Sequence, residues 1–337
     1  MADQKQKIAP AKASMNEMQA HLALRIAALV QSPGHCATAF PGLTLFRQPA
    51  PTACYLASVE PSLSVFLQGK KRINIKGAEF LCDQSSFLVS GIDLPIQSQI
   101  IEASEEVPQI AMRLSLNMTT VREVLSREDL PEPNAPSQGR GLVVGQTTAG
   151  LLIASSRLID LLEAPKDIPF LGHLIEREIV YRILQTPQGE RLRAIAMTGS
   201  LTHRAAKAIA WLNVNYAKPL RMEELAEIAH IGVSTLHHHF RTLTAMSPLQ
   251  FQKQLRLQTA RQRMLVDGLD ATSAAYEVGY ESVSQFNREY SRMFGQPPMR
   301  DIKAMRDGKV VVIDAAVPKP RTPIVPEIQR PVLAGQQ

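Results

Sequence analysis

Apolar residues recur along the chain at different spacings, and each spacing predicts a different kind of element. Met15, Met18, Leu22, Ile26 and Leu29 fall at steps of three and four, which predicts an amphipathic helix from Ser14 that Pro33-Gly34 ends. From Thr38 to about Leu116 the texture changes. Short apolar runs (LTLFR, LSVFLQG, KRINIKG, SSFLVSG, PIQSQII, QIAMRLSL) are separated by Pro, Gly, Asp and Glu, as in an all-β barrel or sandwich. Residues 118–128 (MTTVREVLSRE) read as a short helix and 131–141 (PEPNAPSQGRG) as a proline-rich loop. Amphipathic helices rich in Leu and Ile return over 147–197, and short helices fill 200–306. Residues 1–13 have no apolar period and read as disordered; the proline-rich 307–337 read as a mobile tail.

The helical C-terminal region repeats itself with a shift of about fifty residues. Ile228 answers to Val278, Gly232 to Ser282, Leu236 to Phe286 and Phe240 to Tyr290. Each copy has a supporting helix, a tight turn, a second helix with apolar residues four apart, and a proline-containing stop. That is the layout of a helix-turn-helix unit. In the first, MEELAEIAHI supports and STLHHHFRTLT follows the turn at Ile231-Gly232. In the second, TSAAYEVGY supports, Gly279 allows the turn, and Ser282 is placed to cap SVSQFNREYSRMF. LQFQKQLRLQTARQRML joins the two as a helix, and a straight connector sets two such helices about 34 Å apart, one turn of B-DNA.

Here the resemblance becomes specific. Residues 201–306 resemble the DNA-binding domain of the AraC/XylS family of bacterial transcription regulators. The pattern AxxxGYxSxSQFxREYxRxFGxxPxxxR is met from Ala275 through Gly279, Tyr280, Gln285, Arg288 and Glu289 to Arg300. The segments GLTLFR, PSLSVFLQGKKRI, FLVSGIDLPI and ASEEVPQIAMRLSL resemble the family's N-terminal sensor domain. The fold expected is α+β: an N-terminal β-rich, cupin-like barrel with flanking helices, and a C-terminal all-α double helix-turn-helix domain. The expected division is a tail over 1–13, the sensor over 14–130, a helical connector able to dimerise over 131–199, the DNA-binding domain over 200–306, and a tail over 307–337. The resemblance implies a transcription factor, an activator rather than a repressor, whose partners are promoter DNA, RNA polymerase, a small-molecule effector and a second copy of the chain.

Helical position sorts the candidate DNA-reading residues. Leu236, Phe240 and Leu243 form the apolar stripe of the first recognition helix; Ser234, His237, His238 and Arg241 lie opposite. In the second, Phe286, Tyr290 and Met293 face inward while Val283, Ser284, Asn287 and Arg288 face outward. Arg288 suits a bidentate contact to guanine, Asn287 an adenine, and Val283 a thymine methyl. Thr242, Lys253, Arg256, Gln285 and Arg292 are candidates for phosphate contacts, which position without specifying. Gly232 stands where the family often has Ser, and His238 where Arg is common.

Composition and charge add little beyond this. A formal net charge of +6 suits a polyanionic partner. Three cysteines without CxxC spacing give no disulfide framework and fit a reducing cytoplasm. Each of Cys36, Cys54 and Cys82 is expected to be a small buried hydrophobe; the sharper alternative makes Cys54 or Cys82 a sensor of oxidants or electrophiles. No signal peptide and no bilayer-spanning run is read. The competing class is a cupin-like small-molecule-binding or metal-dependent enzyme with a helical appendage. A metal-dependent one needs clustered His and carboxylate ligands, and no histidine falls between His35 and His173. The consecutive rings of His237, His238 and His239 point about 100° apart around a helix, unlike the i, i+4 pair a metal needs. GRGLVVG lacks the GxGxxG spacing, and no P-loop or GxSxG occurs. No catalysis, metal or cofactor is expected.

Overall fold

The computed structural model describes residues 3–127 and 139–307, with side chains from residue 14 onward. All but the first residue of the expected tail over 307–337, and most of the loop over 131–141, lie outside these residues.

The N-terminal half is a pair of antiparallel sheets. One has six strands in the order β1 (Gly34–Ala37), β2 (Leu43–Gln48), β9 (Gln109–Ser115), β4 (Ser62–Gln68), β7 (Ser86–Ser90) and β10 (Leu142–Gln146). The other has four: β3 (Tyr55–Val59), β8 (Leu94–Glu102), β5 (Lys70–Ile75) and β6 (Ala78–Cys82). The period of two assigns each side chain to a layer. On β9, Ile110, Met112 and Leu114 pack toward helices, while Ala111 joins the second sheet's core. On β4, Leu63, Val65 and Leu67 face the helices and Phe66 the second sheet. Both faces of the large sheet are thus covered, which explains why its strands read as nearly continuous apolar runs.

The outer face is covered by α1 (Asp3–Leu29), α2 (Met118–Leu125), α3 (Ala149–Asp160) and α4 (Ile168–Leu184), through Leu22, Ile26, Val121, Leu158 and Ile179 among others. Two expectations are corrected here. The polar N-terminal stretch is helical from Asp3 rather than disordered. Its Lys, Gln and Ala are good helix formers and extend a helix that tertiary packing has nucleated. The connector expected as helical over 131–199 also carries a strand: the LVV of GRGLVVG pairs with β7 as β10, with Gly145 opposite Phe87. A Cβ on Gly145 would come within 2.5 Å of the Phe87 ring, so only glycine lets the strand lie there.

The C-terminal half is helical: α5 (Gly189–Ala196), α6 (Leu201–Asn215), α7 (Met222–Ala229), α8 (Val233–Thr244), α9 (Pro248–Gln262), α10 (Ala271–Glu277), α11 (Val283–Phe294) and α12 (Pro298–Arg306). Its two units are buried differently. Leu225, Leu236, Phe240, Leu243 and Phe251 of the first share one continuous apolar core with Ile92 and Leu142 of the sensor half and with Ile195 of α5. The second has its own core, built on Met264, Ala275, Val278, Phe286, Tyr290 and Ile302. Among the described residues, no helix is long and apolar enough to cross a membrane.

Candidate nucleic-acid interface

Each unit places its second helix by the same device. In the first, α7 ends at His230 in the left-handed conformation (φ 52°), and the Ile231 N–H returns to Ala226 O at 3.1 Å. In the second, Gly279 takes the left-handed position (φ +88°), and the Tyr280 N–H returns to Ala275 O at 3.0 Å. The buried residues correspond as well: Leu225, Ala226 and Ala229 against Ala274, Ala275 and Val278. The supporting helices are therefore related by a shift of 49, and α8 and α11 by 50. The turn of the second unit is one residue longer. The pairing of Ile228 with Val278 is corrected accordingly.

Leu236, Phe240 and Leu243 of α8 are fully buried, as are Phe286 and Tyr290 of α11. Ser282 accepts from the Gln285 N–H at 3.3 Å and caps α11, while Gly232 begins α8 in the same extended conformation without a side-chain cap. Ser234, His237, His238 and Arg241 are exposed along α8. Ser284, Asn287, Arg288 and Arg292 are exposed along α11. Val283 is half-buried against the second core, less outward than its helical position suggested. His239 is half-buried and turns to the flank; burial lowers its pKa, and the charges of His238 and Arg191 add to this. Among the described residues, no three His, Cys, Asp or Glu gather to hold a metal ion.

Four of the five phosphate candidates have other partners. Arg256, half-buried in α9, donates to the carbonyls of Tyr216 (2.7 Å), Ala217 (3.1 Å), Lys218 (3.0 Å) and Gly279 (2.8 Å). Lys253 pairs with Glu289 at 2.8 Å, and Gln285 donates to the same carboxylate at 3.2 Å. Thr242 donates to its own helix at His238 O. For Arg256, Lys253 and Gln285 the reason is that loop carbonyls and the Glu289 carboxylate lie beside α9 and α11 and accept from them, whereas Thr242 bonds back to a carbonyl of its own helix. Glu289 also accepts from the Tyr280 hydroxyl at 2.8 Å, and Gln252 donates to Tyr216 O and Lys218 O. The sequence reading missed this network; the i, i+4 pair Gln252 and Arg256 on one face of α9 was its visible trace. Arg292 stays exposed.

In the sensor half, Cys36 and Cys54 are exposed rather than buried, because they sit on an edge strand and in a loop. Cys82 is fully buried, and burial pushes its thiol up to about 12, which keeps it protonated and argues against a sensing role. Between the sheets is a cavity of only about 30 Å³, lined by Phe46, Phe66, Lys71, Ser98, Gln109 and Arg113 among others. Ser98 Oγ and Gln109 Nε2 are buried there with no hydrogen-bond partner. A larger open cleft, about 470 Å³, lies between the halves, where Asn74, Lys76 and Gln97 face Lys253, Glu289 and Arg292.

Two family descriptions match. "AraC-type transcriptional regulator N-terminus" covers residues 39–191, and "Helix-turn-helix domain" covers 225–303. The chain belongs to the AraC/XylS family. The family's curated relatives include the HTH-type transcriptional activator RhaS of Escherichia coli (strain SE11), 28% identical over 149 residues, or 43% of this chain and 51% of that one. RhaS of Shigella boydii serotype 18 matches to the same extent. The chain thus spans about half the length of the curated relatives it matches. Among solved structures, the unsaturated fatty acid-bound wild-type ToxT of Vibrio cholerae strain SCE256 has a TM-score of 0.52 at 9% identity. That match covers 80% of this chain and 95% of ToxT, so the shared fold extends over both halves.

Proposed function

We propose that the protein is a sequence-specific, promoter-binding transcription regulator, acting as a ligand-responsive activator through α8 and α11. The observation that carries this is the matched exposure of the two helices. Each buries its apolar stripe and presents a row of donors, Ser234, His237, His238 and Arg241 on α8, and Ser284, Asn287, Arg288 and Arg292 on α11. Two such helices entering successive major grooves read two half-sites, and the protein performs no chemistry. The effector acts by favouring one arrangement of the halves. The cleft between them is the place where a ligand touches β5, β8 and α11 together. RNA polymerase and a second copy of the chain are the further partners of this reading, and the cytoplasm its compartment.

The test is binding of the full chain to duplexes selected from a randomised pool, by fluorescence anisotropy at several salt concentrations. We expect one enriched bipartite sequence and a log–log slope of about −0.9 for each phosphate neutralised. Equal binding to every duplex, or none, overturns the reading.

A further inference from the structure

The turn of the second helix-turn-helix unit meets a loop of the first, and one side chain bonds to both backbones there. The turn of the second unit, at Gly279, lies against the α6–α7 loop of the first. A Cβ on Gly279 would sit 2.0 Å from Ala217 O, so the two backbones meet with no room for a side chain. Such an approach brings several carbonyls together, and helix α9 passes beside them. Arg256 spends its guanidinium on these carbonyls: Nε to Tyr216, Nη2 to Ala217 and Lys218, Nη1 to Gly279. One rigid, planar fork thus holds the loop of the first unit and the turn of the second at fixed separation. A lysine ammonium at this position cannot present donors in that geometry.

The connection continues to the DNA-facing helix. The Arg256 guanidinium lies 5.7 Å from the centre of the Tyr280 ring, and the Tyr280 hydroxyl donates to Glu289 on α11. Glu289 also accepts from Lys253, which leaves α9 one turn before Arg256. The pose of α11 relative to the first unit is therefore set by groups that lie off the exposed, DNA-facing rows.

We propose that Arg256 is the positioning residue that fixes the spacing between the two half-sites the protein accepts. This rests on the DNA-binding reading above. Moving one half-site by one base pair shifts it by about 3.4 Å and turns it by about 34°. A rigid pair of units tolerates that poorly, whereas a loosened pair does not distinguish it and also loses the advantage of linkage.

The experiment uses the full chain and the duplex it selects from a randomised pool, remade with the half-site spacing natural, shortened and lengthened by one base pair, and as single half-sites. Wild-type protein is expected to lose affinity about tenfold at either altered spacing. Arg256→Lys should bind the natural duplex about tenfold more weakly, with all three spacings within about threefold of one another and single half-sites unchanged. Gln252→Ala, which removes another donor from the same loop without touching Gly279, should flatten the profile less. Arg288→Ala should weaken every spacing alike. A variant at Arg256 that keeps the wild-type spacing profile overturns the proposal. So does a parallel loss on single half-sites, which is the mark of a phosphate contact or of a damaged fold. If wild type selects no sequence at all, the DNA-binding reading itself has failed.

Discussion

The Gly141 N–H donates to the Leu243 carbonyl at 2.9 Å, so the first residue before β10 closes the last turn of α8. Leu243 O is one of the carbonyls a helix end leaves without an internal partner. The sensor half supplies that partner. A Cβ on Gly141 would fall 2.3 Å from Ile92 Cδ1, inside the core the two halves share. Gly141→Val is expected to cost about 1–3 kcal/mol through overpacking. Its denaturation should show the sensor half and first unit losing structure together, read by circular dichroism and Trp211 fluorescence. Separate transitions would show that the shared core does not couple them.

A buried charge holds the second unit. Arg261 pairs with both oxygens of Asp301 at 2.7 and 2.8 Å, and the Tyr290 hydroxyl donates to Asp301 at 2.7 Å. Asp301→Asn strands Arg261 and is expected to destabilise by about 3 kcal/mol. Tyr290→Phe removes one hydrogen bond and should cost about 1 kcal/mol. Urea titration of both variants checks the order; equal losses would mean the ion pair adds nothing beyond the hydroxyl.

Two half-buried histidines make the junction acid-sensitive. Burial lowers the pKa of His203, whose Nδ1 lies 2.9 Å from Ile195 O, with Lys207 and Arg122 adding to the shift. Burial likewise lowers that of His239, with His238 and Arg191 adding to it. A base with a lowered folded pKa takes up its proton more readily when unfolded. Stability is therefore full above the ordinary histidine value of about 6.5 and is lost as pH falls below it, toward the lowered values. Denaturant midpoints should decline over that window, and the double substitution His203→Gln with His239→Gln should flatten the decline.

Arg288 and Arg292 lie one turn apart on α11 and are expected to act differently. Arg288→Ala should cost about 1–3 kcal/mol at the selected sequence and relax preference at one base pair. Arg292→Ala should weaken all duplexes uniformly and reduce the salt slope by about one. Binding assays on single-base-pair variants separate them, and identical specificity losses from both would refute the division.

The second unit was legible because its chemistry is local: the stripe of Phe286 and Tyr290, the Ser282 cap and the Gly279 turn all lie within one short stretch. The exposed row on α8 was equally readable from period alone. Arg256 was not. In sequence it is one basic residue on a polar helix, and only the chain's path brings Tyr216, Ala217, Lys218 and Gly279 to it. The ties of Gln285 and Lys253 to Glu289 were hidden for the same reason. The exposure of Cys36 was illegible because it follows from β1 lying at the sheet edge, and composition carries no strand order; that of Cys54 follows from its place in the loop before β3. The helix from Asp3 and the strand at Leu142 were obscured by neighbours rich in polar residues and proline.

The extra residue in the second turn bears on how these units can be exchanged between proteins. A transplant of α11 alone onto the first unit, replacing residue 233 with 283 and so on, keeps the inward stripe in register. A transplant of supporting and reading helices joined by the host's turn leaves the two helices one residue out of step, so the reading helix no longer meets its support in the native register. Chimeric regulators built from this chain should therefore be cut at the N-cap residues, Gly232 and Ser282, or should carry each turn with its own helices.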